Sequence, residues 1–120
     1  MSDRDRPIDR FLPMRPVEFE IVLSLAGGPR HGYGIIQDAE GRDGSRTPDV
    51  GTMYRALRRM QDQGLIGESV RRRVSESGDE RRHYYHLTPL GLRVARAEAR
   101  RLEGLLKTAR LGGLLEEKAR

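Results

Sequence analysis

The stretch from Asp49 to Ile66, DVGTMYRALRRMQDQGLI, leaves this chain few folds to choose from. Val50, Met53, Leu57 and Met60 recur at spacings of three and four, the pattern of a helix with one apolar stripe to bury. Entered through Gly51 and Thr52, this helix is predicted to span residues 50–63 and to end at Gly64, which tolerates the left-handed conformation that closes a helix. Arg55, Arg58, Arg59 and Asp62 fall on the opposite side. Three arginines backed by a buried stripe can present cations to a polyanion, although taken alone they also fit an ordinary solvated face.

Directly after Gly64 the period changes from about four to two. Ile66, Glu68, Val70, Arg72 and Val74 alternate with Gly67, Ser69, Arg71 and Arg73. Further on, Tyr85 and Leu87 share a face opposite Tyr84 and His86. Two strands are therefore predicted between 66 and 87, joined by a turn over Ser75 to Glu80.

Upstream, Pro16 suits the first turn of a helix reaching about Ala26, because its missing N–H has no intrahelical partner there. Phe19, Val22, Leu23 and Ala26 form its main expected stripe, which Ile21 and Leu25 widen. Gly27, Gly28 and Pro29 end it. A short second helix follows over 31–40, with Ile35, Ile36 and Ala39 inward and His31 capping or bracing it, and the polar segment 41–48 then loops into the central helix. Residues 1–14 carry Pro7 and Pro13, balance three arginines against three aspartates and show no helical repeat, so they are expected to form a flexible arm. Phe11, Leu12 and Met14 give that arm a means of docking. Helix, helix, helix, hairpin is the order of a winged helix-turn-helix, in which the third helix enters the major groove.

Thr88 and Pro89 open another helix, as N-cap and first-turn proline. It runs to about Leu111, where Gly112 and Gly113 interrupt it, and at ~33 Å it is too long to pack wholly on a small domain. Ala95, Ala99, Leu102, Leu105, Leu106 and Ala109 approximate a coiled-coil seam, so pairing with the same helix of a second subunit is the expected solution. The fold class is thus mostly α with a small β-hairpin. A flexible arm (1–14), a winged helix-turn-helix domain (15–88), a dimerisation helix (89–111) and a tail (112–120) follow one another.

Composition narrows the function. At 120 residues with 34% charged side chains and a net charge of +5, the chain favours an anionic partner, nucleic acid or an anionic membrane surface. No apolar run is long enough to span a bilayer, and the N-terminus lacks an apolar signal core, which fits a cytoplasmic protein. With no cysteine, disulfides, thiolate metal sites and cysteine nucleophiles are excluded. His83 and His86, three apart on a strand, point to opposite faces and suit no common metal, and no catalytic constellation or cofactor motif stands out.

Three blocks taken together, His31-Gly-Tyr-Gly-Ile35, Gly51-Thr-Met-Tyr-Arg-Ala-Leu57 with Gly64-Leu-Ile66, and Tyr84-Tyr-His-Leu-Thr-Pro-Leu-Gly91, resemble the signature blocks of PadR-family transcriptional regulators, in order and spacing. The resemblance extends through the final helix to the branch with a single C-terminal dimerisation helix. It implies a dimeric winged-helix repressor on a pseudo-palindromic operator, commonly relieved by a small molecule, another protein or a stress signal. Carried over residue by residue, it puts Gly51, Thr52, Tyr54 and Arg55 at the recognition-helix start, near the phosphate backbone. Arg55, Arg58 and Arg59 become candidates for guanine edges or phosphates. Tyr85, Leu87 and Thr88 take structural roles.

The hairpin tip carries Glu76, Asp79 and Glu80, which phosphate repels, so the flanking Arg71, Arg72, Arg73, Arg81 and Arg82 are the expected backbone contacts. The absence of any aromatic residue after Tyr85 counts against a flat effector stacked between dimerising helices. The sequence reading is a homodimeric, duplex-DNA-binding regulator, a repressor without a cofactor. Its alternatives are a small basic RNA-binding protein and a protein-interaction module.

Overall fold

The structure is a computed structural model that describes residues 8–46, 48–75 and 78–116, with backbone alone for 70–75 and 78–82. Among these, four α-helices, three strands and a short 3-10 turn over Asp9–Phe11 make up the regular structure. Helix α1 spans Pro16–Leu25, strand β1 Arg30–His31 and helix α2 Gly32–Glu40. Helix α3 covers Val50–Asp62, strands β2 and β3 cover Ile66–Ser75 and Gly78–Leu87, and helix α4 covers Pro89–Leu111. The sheet order is β1-β3-β2, all antiparallel. This is a mostly helical winged helix-turn-helix with a long final helix.

Helices α1, α2 and α3, the base of the hairpin and the first turns of α4 share one core. Ile21, Ile35, Met53 and Val94 are fully buried at its centre. On α1 the buried residues are Ile21, Val22 and Leu25, joined by Glu18 and Ser24, whereas Leu23 is 43% exposed and Ala26 lies in solvent. The expected stripe through Leu23 and Ala26 was therefore rotated. Glu18 and Ser24 can occupy core-facing positions because arginines satisfy or surround them. In α2, Ile35, Ile36 and Ala39 point inward as expected, and the His31 imidazole caps the helix by accepting the Gly34 N–H at 2.9 Å.

From Ile8 onward the segment read as a flexible arm is docked. Ile8, Phe11 and Leu12 pack against the core, Met14 is buried within it, and its N–H donates to Glu98 of α4. Residues 1–7 of that arm lie outside the described residues. The hairpin turn is tighter than the predicted 75–80: β2 runs to Ser75 and β3 resumes at Gly78, with Val74 opposite Asp79 and Arg73 opposite Glu80. Strand β1 was not foreseen, because two residues carry no alternation to read. Arg30 and His31 pair with Tyr85 and Tyr84 and extend the hairpin into a three-stranded sheet.

Three local devices fix α3 against the hairpin and α4. Gly64 takes φ +77°, and the N–H groups of Gly64 and Leu65 reach back to Gln61 and Met60, the double bond pattern of a left-handed helix stop. Thr88 Oγ1 then donates to the Gly64 and Leu65 carbonyls and accepts the Gly91 N–H, tying the starts of β2 and α4 together. At Gly91 a Cβ atom would sit 1.9 Å from the Leu65 carbonyl oxygen, so only glycine allows α4 to approach so closely.

Candidate nucleic-acid interface

The apolar face of α3 is Met53, Ala56, Leu57 and Met60, all essentially buried. Val50, expected to begin that stripe, is 57% exposed: it is the first residue of the helix and projects beyond the core. Gly51, Tyr54, Arg55 and Arg58 are exposed and Thr52 is half-buried, so these residues form one solvent-facing side over about two turns.

Asp49 organises the start of this face. Its carboxylate accepts the Thr52 N–H and hydroxyl, both at 2.9 Å, and Thr52 Oγ1 accepts from Arg55 Nη2 at 3.2 Å. The Thr52 N–H, followed by its hydroxyl, holds the Asp49 carboxyl below the usual carboxylate range. The resemblance puts this helix start near the phosphate backbone. The structure has Asp49 already taking the Thr52 N–H, and leaves the Tyr54, Arg55 and Arg58 side chains as the exposed donors of this side. An aspartate three residues before Thr52 is an N-cap signal that could have identified this arrangement.

Arg59 departs from the other two arginines. It is half-buried, and its Nε donates to Glu18 of α1 at 2.9 Å, which turns it away from Arg55 and Arg58 toward the domain. At 100° per residue, Arg59 lies a full turn beyond Arg55 but on the edge of the stripe, where the buried Glu18 captures it. Arg71, Arg72, Arg73, Arg81 and Arg82 have side chains outside the described residues. In the backbone register Arg71 lies opposite Arg82 and Arg72 opposite Arg81, which concentrates them on one stretch of the hairpin.

Tyr54 overlies the N-terminus of α2. A Cβ at Gly32 would meet its hydroxyl oxygen at 2.5 Å, which explains a glycine after His31. Beside it, a cleft of about 510 Å³ is lined by His31, Tyr33, Tyr54, Glu68, His83 and Tyr85. Glu68, which sequence reasoning passed over, joins two elements there: it accepts from Gln61 Nε2 of α3 at 2.6 Å and pairs with His83 Nδ1 of β3. The Gln61 amide, with His83, holds its carboxyl below the usual range. Burial, then Glu68 and Tyr54, push the Tyr85 phenol up.

On α4, Leu90, Gly91, Val94 and Glu98 are buried and Ala95 packs against the core. Of the remaining seam residues, Leu102 and Ala109 are half-buried, Ala99 is exposed, and Leu105 and Leu106 are 55% and 46% exposed. The helix closes with Gly113 at φ +81° and the Leu114 N–H bonded to the Ala109 carbonyl. No helix of the described residues is long and apolar enough to cross a membrane, and no group among them could hold a metal ion.

The family model of the PadR-like transcriptional regulators matches residues 21–97. The chain belongs to the PadR-like family of transcriptional regulators. The matched span runs from inside α1 to the last buried turn of α4, so it covers the solvent-facing side of α3 and the whole hairpin. Among solved structures, this PadR-like chain is similar to a PadR family transcription regulator from Clostridium difficile R20291. The two share 29% identity over 81% of this chain and 97% of that one, with a TM-score of 0.71. A transcriptional regulator from Clostridium thermocellum matches at 26% identity, covering 77% and 84% of the two chains, with a TM-score of 0.63. Bacillus subtilis PadR, crystallised with operator DNA, shares the fold at 20% identity and a TM-score of 0.60, over 69% of this chain and 46% of that one. No curated protein matches the chain.

Proposed function

We propose that this PadR-like regulator is a homodimeric repressor that binds a pseudo-palindromic duplex operator. Helix α3 lies in the major groove, and the arginine-bearing flanks of the hairpin lie along the backbone. The observation that carries this reading is the division of α3: its apolar side is spent on the core, while Tyr54, Arg55 and Arg58 face solvent along the other side. Arginine forks read guanine edges in the major groove, and a tyrosine hydroxyl donates well to phosphate. Family membership and the operator-bound Bacillus subtilis protein of the same fold support duplex DNA as the partner.

The homodimer is supported by the uncovered leucines of α4, and two-fold pairing would set two α3 helices about one DNA turn, ~34–36 Å, apart. An effector, small molecule or protein, would act by changing that spacing. The test is fluorescence anisotropy with duplex from upstream of the gene, scrambled duplex and RNA of equal length, at two salt concentrations. Tight binding to the upstream duplex alone that survives the higher salt is expected. Equal, salt-sensitive binding to all three would reduce the interface to a basic surface, and a preference for RNA would favour an RNA-binding role.

A further inference from the structure

Two buried carboxylates take consecutive backbone N–H groups. The Met14 N–H donates to Glu98 Oε2 at 3.0 Å, and the Arg15 N–H donates to Glu18 Oε1 at 3.2 Å. Each carboxylate also holds a guanidinium. Arg101 grips Glu98 through Nε at 2.6 Å and Nη2 at 3.0 Å, and Arg59 Nε reaches Glu18 Oε2 at 2.9 Å. Glu98 is 2% exposed and Glu18 is 7% exposed. The polar chain Arg101, Glu98, Met14, Arg15, Glu18, Arg59 therefore runs unbroken from α4, through one peptide link, to α3.

Its ends matter as much as its continuity. Glu98 is the last buried residue of α4, so it sits where that helix leaves the domain and its direction is set. Arg59 lies in the last turn of α3, one residue from Arg58 on the exposed side. Burying a carboxylate away from its partner is costly, so neither end can slip without leaving a buried polar group unmatched.

We propose that Arg59, Glu18, Glu98 and Arg101 are positioning residues that lock the angle between α4 and α3, and thereby the distance between the two recognition helices of a dimer. This rests on the dimeric-operator reading above and goes beyond it. Arg59 acts through Glu18, inside the domain, rather than on DNA.

A lock on geometry differs from a stabilising contact in what its loss does to discrimination. The wild type and the variants Arg59→Met and Arg101→Met are titrated against the upstream duplex and against versions with one base pair inserted or removed between half-sites. The wild type is expected to lose at least tenfold in affinity on altered spacing. The variants, still dimeric by sedimentation, are expected to lose less than threefold, and Arg59→Lys to restore most of the discrimination. Variants that keep the full wild-type penalty overturn the proposal. A wild type indifferent to spacing overturns the dimeric-operator reading, and the lock with it.

Hydrogen exchange on the free protein tests the linkage without DNA. Arg59→Met is expected to speed exchange at Met14, whose N–H is held by Glu98, as well as at Arg15. An effect confined to Arg15 would show two independent ion pairs and overturn the proposal.

Discussion

Helix α3 and the outer half of α4 are both amphipathic, yet only α3 has its apolar side covered by its own chain. Met53, Leu57 and Met60 are at most 1% exposed, whereas Leu105, Leu106 and Leu111 stand 55%, 46% and 79% exposed. What each helix leaves over differs in kind: α3 leaves arginines and a tyrosine, and α4 leaves leucines. Leftover cations call for a polyanion and leftover leucines for another apolar face, so one small domain carries two unmet surfaces of opposite character.

The contrast breaks most visibly on α4. Replacing Leu102 and Leu106 together by Asp is expected to give monomers in sedimentation and to weaken operator binding by about 10²–10⁴-fold, the usual gain from linking two sites. A double variant that still sediments as a dimer would put the seam elsewhere. Next in size is the same type of change made on both helices. Leu57→Ala, at a position 1% exposed, is expected to cost about 2–5 kcal/mol in urea unfolding. Leu105→Ala, measured at concentrations too low for pairing, should stay within about 0.5 kcal/mol. Similar costs at the two sites would mean that α4 folds back on its own domain.

How much of this was legible in the sequence follows from how local each signal is. The α3 stripe from Met53 to Met60, the Gly64 stop, the Thr88 cap and the Pro89 start all depend on neighbours within four residues, and they stand where their patterns put them. Val50 and Leu23 were misread because helical spacing gives a face but not where the core ends. The pairing of Arg59 was illegible for a different reason: its partner Glu18 is 41 positions away, and no local pattern joins them. The docking of Met14 through Glu98, 84 positions apart, was hidden in the same way. Of the candidate interface, the residues facing solvent on α3 were readable. The Glu68 link between α3 and the hairpin emerged only from the packing, whereas the Asp49 cap is a local signal, three residues from the N–H it accepts, that the pattern of apolar residues passed over.

On the α3 side, the comparison sharpens with single arginines. Arg55→Ala and Arg58→Ala are each expected to weaken operator binding by roughly 1–3 kcal/mol if the arginine reads a base. Neither should move the urea midpoint, since both side chains are exposed. A phosphate contact would instead weaken all duplexes alike and lower the salt slope by about one. Unchanged affinity in both variants would remove these arginines from the interface.

The smallest expected effect lies at Glu98, on the border between the covered and uncovered halves of α4. Arg101, helped by the Met14 N–H, holds its carboxyl below the usual carboxylate range. A carboxyl with a depressed folded value contributes stability above its unfolded value, and that contribution drains away as pH falls through the folded one. Glu98→Gln should therefore be less stable than the wild type at pH 7, and the gap should narrow steadily once the pH drops below about 4.5. Denaturant midpoints of both proteins between pH 7 and 3 measure it. A gap that stays constant with pH would mean that the glutamine misfits sterically, and that the charge pairing contributes nothing to holding α4 where it leaves the domain.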